Sequence, residues 1–160
     1  MEEKGSLLFK VEAPINKTWE FLSDILKVGS CVPGVTEIEL IDPETKLSRW
    51  VYKVKVGFVT KTFKIITRMI RQDPPCMAEF EGHSEDGLLR MKGSIKNEPD
   101  GEYATRVCYE LVGRAGEAIP ASLRSLLETL MKERAYKEAE QFAANVKARI
   151  EQGEDPPAFI

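Results

Sequence analysis

From about Glu117 to Gln152 the chain places apolar residues three and four apart: Ile119, Leu123, Leu127, Leu130, Ala135, Ala139, Phe142, Val146 and Ile150. This spacing predicts one long amphipathic α-helix. Glu128, Lys132, Glu133, Lys137, Glu140, Lys147 and Arg149 are assigned to its water face, with Glu128/Lys132 and Glu133/Lys137 four apart in the stabilising order. Leaving the larger apolar side chains wet would cost about 1.5–3 kcal/mol each. The remaining chain must therefore offer a groove about 50 Å long, at a rise of ~1.5 Å per residue. Pro120 fits such a helix only in its first turn or at a kink.

What precedes the helix is almost all β-patterned. Ser6 to Ala13 alternates, with Leu7, Phe9, Val11 and Ala13 opposed to Lys10 and Glu12, and predicts a half-buried strand. Pro14 closes it. Ile15 to about Lys27 fits a short helix, for which Asn16 and Pro14 compete as the start signal, and a second short turn runs on to Cys31. Val32-Pro33-Gly34 then ends the helical part, because proline cannot extend it and glycine accepts positive φ.

Six β segments follow: Thr36 to Ile41, Arg49 to Val56, Thr60 to Ile70, Cys76 to His83, Leu89 to Lys96 and Tyr103 to Leu111. They are separated by Asp42-Pro43-Glu44, Gly57, Asp73-Pro74-Pro75, Asp86-Gly87 and Asn97 to Gly101. Short connections favour antiparallel order, and alternation gives each strand one wet and one dry face. The prediction is an α+β chain: a curved antiparallel sheet of about seven strands gripping the long helix, with two short helices after the first strand. One domain over 1–152 is expected, with 153–160 a short tail prone to fraying.

Function classes narrow by exclusion. The net charge of −3 over 160 residues offers no overall basic balance of the kind nucleic-acid binding favours. The start Met1-Glu2-Glu3 is acidic where a signal peptide would be basic, and no apolar run reaches the ~18 residues of a membrane span. A cytoplasmic protein is expected. Cys31, Cys76 and Cys108 have no CxxC or histidine spacing, so they predict buried thiols, with neither disulfide nor metal site. His83, the single histidine, alternates onto a wet face beside Glu79 and Glu81, and no nucleophile and base pair is visible. No catalytic residue, metal or cofactor is assigned. Asp24 is read as a cap or brace for the turn near Cys31 to Gly34.

The dry faces suggest a hydrophobic cavity instead. Trp50, Tyr52, Phe63, Ile65, Thr67, Met69, Phe80, Met91, Tyr103, Thr105 and Tyr109 from the strands, with Leu123, Leu127 and Leu130 from the helix, are the candidate lining. The tyrosine and threonine hydroxyls are the candidate polar handles. With no inward charge expected, a neutral apolar or amphipathic ligand such as a quinone, lipid or isoprenoid fits best.

Several stretches carry a resemblance. Val11-Glu12-Ala13-Pro14, Thr18-Trp19-Glu20-Phe21-Leu22-Ser23-Asp24 and Ser30-Cys31-Val32-Pro33-Gly34-Val35 resemble the opening of the CoxG family, named for the CoxG subunit of carbon monoxide dehydrogenase. Lys55-Val56-Gly57 and Glu140-Gln141-Phe142 are also similar to that family, and the element order is that of the helix-grip fold of START-like and Bet v 1-like (SRPBCC) proteins. The resemblance implies a protein that holds a hydrophobic molecule between sheet and helix. It also implies an association with a molybdenum-containing carbon monoxide dehydrogenase or related hydroxylase, in maturation, membrane recruitment or quinone handling. Longer relatives carry a C-terminal anchoring segment; here only Ala158-Phe159-Ile160 is apolar, so peripheral membrane contact without an anchor is expected. Three readings follow in order: a carrier, a docking or maturation partner acting through the turn at Cys31 to Val35, and a cyclase- or hydrolase-like enzyme.

Overall fold

The computed structural model describes residues 2–56, 58–115 and 120–153, with the side chains at 2–3, 54, 56, 59, 115, 122–123, 126–127 and 129–136 left out. Element order is β1 (Glu2–Val11), α1 (Ile15–Leu22), α2 (Ile25–Gly29), β2 (Val35–Asp42), β3 (Leu47–Val56), β4 (Val59–Asp73), β5 (Met77–Ser84), β6 (Leu89–Pro99), β7 (Thr105–Ala115) and α3 (Ala121–Gln152). The strands form one curved antiparallel sheet in the order β1-β7-β6-β5-β4-β3-β2. Successive hairpins build six strands, and β1 returns to pair with β7.

Local chemistry explains the helical segment between β1 and β2. Pro14, extended at φ −60°, precedes α1 directly, so proline and not Asn16 is the start signal. The expected helix to Lys27 is broken at Ser23, and Asp24 opens α2 by accepting hydrogen bonds at Oδ1 from the N–H groups of Leu26 (3.1 Å) and Lys27 (3.2 Å). Gly34 adopts φ +88°, and a Cβ there would lie 2.9 Å from the Lys53 carbonyl oxygen. The turn that ends the helical part thus requires glycine on two counts.

Three readings of the strands need correction. Tyr103 does not point inward: β7 begins at Thr105, and the loop closed by Asp100 N–H to the Ala104 carbonyl (2.9 Å) leaves Tyr103 76% exposed. Cys76 precedes β5 and is exposed, whereas Cys31 is buried and Cys108 half-buried. β4 does not end at Ile70 but runs on to Asp73, and a bulge between Met69 and Arg71 leaves Ile70 unpaired and exposed, on the wet side to which alternation with Arg68 assigns it.

The core lies under the C-terminal half of α3. Phe142, Val146 and Ile150 bury against Val11, Ala13, Phe21, Leu22, Cys31, Ile95 and Val107. Pro120 stands immediately before the first turn, where its missing N–H costs nothing, and Gly153 closes the helix in the left-handed region at φ 68°. Residues 117–119, the turn at Gly57, the tail from 154, and the Lys132 and Glu133 side chains lie outside the described residues.

Candidate ligand-binding site

The concave face has two parts. Toward the end of β1 it is solid: Val11 and Val107 are essentially inaccessible, and Thr105 is fully buried with its hydroxyl donating to the Ala13 carbonyl at 2.8 Å and lying 3.4 Å from the Thr18 hydroxyl. Thr105 is therefore a structural bond between β7 and the start of α1, not the polar handle expected of it.

Toward β3 and β4 the same face is looser. Phe63, Ile65 and Thr67 are buried, but Trp50, Tyr52, Met69, Phe80, Met91 and Tyr109 keep partial access to solvent although they share the concave side. Register sets which residues share this part of the face. One cross-sheet row runs Met69, Phe80, Gly93, Leu111, Gly5, and the next runs Thr67, Gly82, Met91, Gly113. Each row carries two glycines where neighbouring strands carry side chains. The Phe80 ring lies over Gly93, where any Cβ would overlap it. Leu123, Leu127 and Leu130 belong to the α3 segment above, but their side chains lie outside the described residues.

Tyr109 and Tyr52 bring hydroxyls into this region. The Tyr109 ring packs between Phe142 (centroids 5.2 Å) and Phe80 (6.1 Å), and among the described residues nothing hydrogen-bonds to its hydroxyl. Burial pushes its phenol up to about 12, because the phenolate would lose its hydration. Tyr52 donates to Glu138 Oε2 at 2.6 Å, linking β3 to α3. The expectation of no inward charge is thus overturned: Glu138 is a half-buried carboxylate at the rim.

Arg149 corrects a second assignment. Placed on the water face by residue type, it is only 8% exposed; it donates to Ser30 Oγ, approaches Cys31 Sγ at 3.6 Å, and lies 5.1 Å above the Phe21 ring. Asn145 Nδ2 adds a bond to the Cys31 carbonyl at 3.0 Å. Glu138, Asn145 and Arg149 form one stripe that fastens α3 to β3 and to the turn at 30–34. The Cys31 thiol is pushed up by burial, an effect that the Arg149 charge opposes.

Two surface depressions lie elsewhere. One, of about 310 Å³, is on the convex face between Leu47, Ile66, Arg68, Glu81 and His83, which puts the histidine on the opposite side of the sheet from the concave face. The other, of about 510 Å³, lies between α1–α2 and the β2–β3 turn, beside Trp19, Leu26, Leu40 and Lys46. Among the described residues no cluster of potential metal ligands occurs, and no helix is long and apolar enough to cross a membrane.

The family model for CoxG, a carbon monoxide dehydrogenase component, matches residues 8–151. The chain belongs to the CoxG family. Solved structures agree on the fold. A conserved protein from Geobacillus kaustophilus superposes with a TM-score of 0.72 at 17% identity, covering 97% of this chain and 98% of that one. The Zhui aromatase/cyclase from Streptomyces sp. R1128 gives 0.68 at 15% identity, covering 94% and 96%. A START superfamily protein from Mycobacterium smegmatis gives 0.63 at 15% identity, covering 94% and 99%. The fold of this CoxG member is therefore START- and Bet v 1-like. No curated protein matches the sequence.

The tyrosine assignment predicts a titration. A folded pKa of about 12 against an unfolded value of about 10 means that folding favours the neutral phenol. That contribution to stability is complete below about pH 10 and is lost as pH rises through 12. Absorbance at the phenolate band is expected to show a late step that is missing in Tyr109→Phe.

Proposed function

We propose that this CoxG member binds a mostly apolar small molecule of quinone or lipid class in the hollow between the sheet and α3, without chemically transforming it. The observation that carries this reading is the Tyr109 hydroxyl: set in an apolar wall beside Phe80 and Phe142, protonated at neutral pH, and without a hydrogen-bond partner among the described residues. A neutral phenol in an apolar wall donates one hydrogen bond, and a carbonyl or ester oxygen on an otherwise oily ligand answers it. A phenol titrating near 12 is a poor base at neutral pH, and His83 faces the wrong side of the sheet. Both support binding over catalysis, although some structural neighbours carry the name aromatase/cyclase.

Two measurements test it. Native mass spectrometry of protein from its own host is expected to show a co-purifying apolar ligand. Titration with a short-chain quinone is expected to show binding that Tyr109→Phe weakens about 3- to 10-fold, while a hydrocarbon probe of similar size binds both forms alike. Equal loss for both probes, or no binding to either, overturns the reading.

The family name further supports an accessory role beside a molybdenum-containing carbon monoxide dehydrogenase. Docking through the surface is the second reading, favoured by the depression where Leu40 (39% exposed) adjoins Trp19 and Leu26. Recovery of a hydroxylase subunit by the parent protein, and its loss on Leu40→Asp, is the expected result under that reading.

A further inference from the structure

The inward stripe of α3 changes chemistry along its length. Phe142 and Val146 carry it in the second half, where both are buried. Eighteen residues earlier, which is five turns at ~3.6 residues per turn, the same stripe falls on Arg124 and Glu128. Residue type alone puts Glu128 in water. It is half-buried instead, and its Oε1 is shielded from solvent with no hydrogen bond or ion pair to Glu128 among the described residues. The Nε of Arg124, one turn before it, is shielded as well.

A buried carboxylate oxygen without a partner is rare in folded proteins, because it has lost its hydration and gained nothing in exchange. The sheet supplies no answer to it. The concave positions of β5, β6 and β7, from Ala78 to Gly113, include no lysine, arginine or histidine. An acceptor turned toward an apolar face calls for a donor that arrives from outside the chain.

We infer that Glu128 reads the polar end of the ligand, and that this ligand is an apolar molecule ending in a neutral hydroxyl, an alcohol or a phenol, which donates to Oε1. The inference rests on the carrier reading above and narrows its ligand class. The stripe itself decides between possible ends. Arg124 and Glu128 are four apart, about 5–6 Å between Cβ atoms. An anionic end could reach Arg124 only beside the Glu128 carboxylate, and a cationic end could reach Glu128 only beside the guanidinium. A hydroxyl donates without bringing a third charge out of water.

Position separates this contact from the one at Tyr109. Phe142, on which the Tyr109 ring packs, lies fourteen residues from Glu128, about 20 Å along the helix at ~1.5 Å per residue. Groups so far apart address different parts of one ligand: Glu128 its hydroxyl end, Tyr109 an oxygen further along.

The full chain is tested by loading it with an apolar, environment-sensitive dye and displacing the dye with decanol, decanoate, decylamine or decane. Decanol is expected to bind about 10-fold or more tighter than decanoate or decylamine. Glu128→Leu, which keeps the volume and removes the acceptor, is expected to weaken decanol about 10-fold and to leave decane unchanged. Glu128→Gln, which keeps an acceptor oxygen, is expected to recover part of that loss. Melting of Glu128→Leu is expected at or above that of the parent, since an unanswered oxygen leaves a buried place. A lower melting point with equal loss for decanol and decane marks Glu128 as a structural brace and overturns the inference. Decane binding without a preference for decanol over decanoate, decylamine binding tighter than decanol, or decanol binding untouched by Glu128→Leu overturns it while the carrier reading stands. Failure of the dye and of all four compounds to bind overturns both.

Discussion

Phe142→Ala is expected to cost about 3–5 kcal/mol of folding stability and, at ~2–4 °C per kcal/mol for a domain of this size, to lower the melting temperature by roughly 6–20 °C. Phe142 is 5% exposed, sits in the core cluster, and is the α3 residue against which the Tyr109 ring packs. Its removal leaves a cavity at the seam between helix and sheet, and the elements around it cannot collapse inward because Val146 and Ile150 already hold α3 on the sheet. The late tyrosine titration is expected to move down toward 10 in the same variant, since water reaches the phenol through the gap. Phe58→Ala is the control: the same chemical change at a fully exposed position is expected to fall within about 0.5 kcal/mol of the parent. If both variants melt alike, α3 is not held by this face.

How much of this is legible in the sequence differs by element, for physical reasons. Phe142, Val146 and Ile150 at four-residue spacing specify the buried stripe of α3 because burial there is governed by side-chain type and angle together. Arg149 misleads because type and angle disagree: on a wheel advancing ~100° per residue it lies about 20° from Phe142, inside the buried margin. The signal is present in the spacing, yet a guanidinium reads as a surface group unless its partners at Ser30, Cys31 and Phe21 are known. Those partners are more than 100 residues away in sequence. Glu138 is a similar case, since its bond to Tyr52 joins positions that only the closed fold brings together. Tyr103 misleads for a local reason: the alternation of β7 continues backward on paper across a turn that the Asp100–Ala104 hydrogen bond terminates. Thr105 faces inward as alternation says, but a period of two carries no information on which inward hydroxyl is already paired.

Met91→Trp distinguishes an open hollow from a filled one, and is expected to reduce affinity for an apolar probe by about tenfold or more, which is ~1.4 kcal/mol, with little change in stability. Met91 is half-buried in the cross-sheet row whose neighbours on β5 and β7 are Gly82 and Gly113. An indole at this position would project over the concave face beside these glycines and add apolar contact with Phe80 and Leu111, one row away. Such a variant binds less because its own side chain has taken the site. If the side chains of α3 already fill the space, the larger ring must force its neighbours apart, and the outcome reverses: about 1–3 kcal/mol of destabilisation from overpacking, with no binding to lose in the parent. Chemical denaturation and probe titration on the same pair of proteins read the two quantities separately. Loss of affinity at constant stability requires empty volume under α3, whereas loss of stability alone requires a packed interior, and the carrier reading of this CoxG member survives only the first.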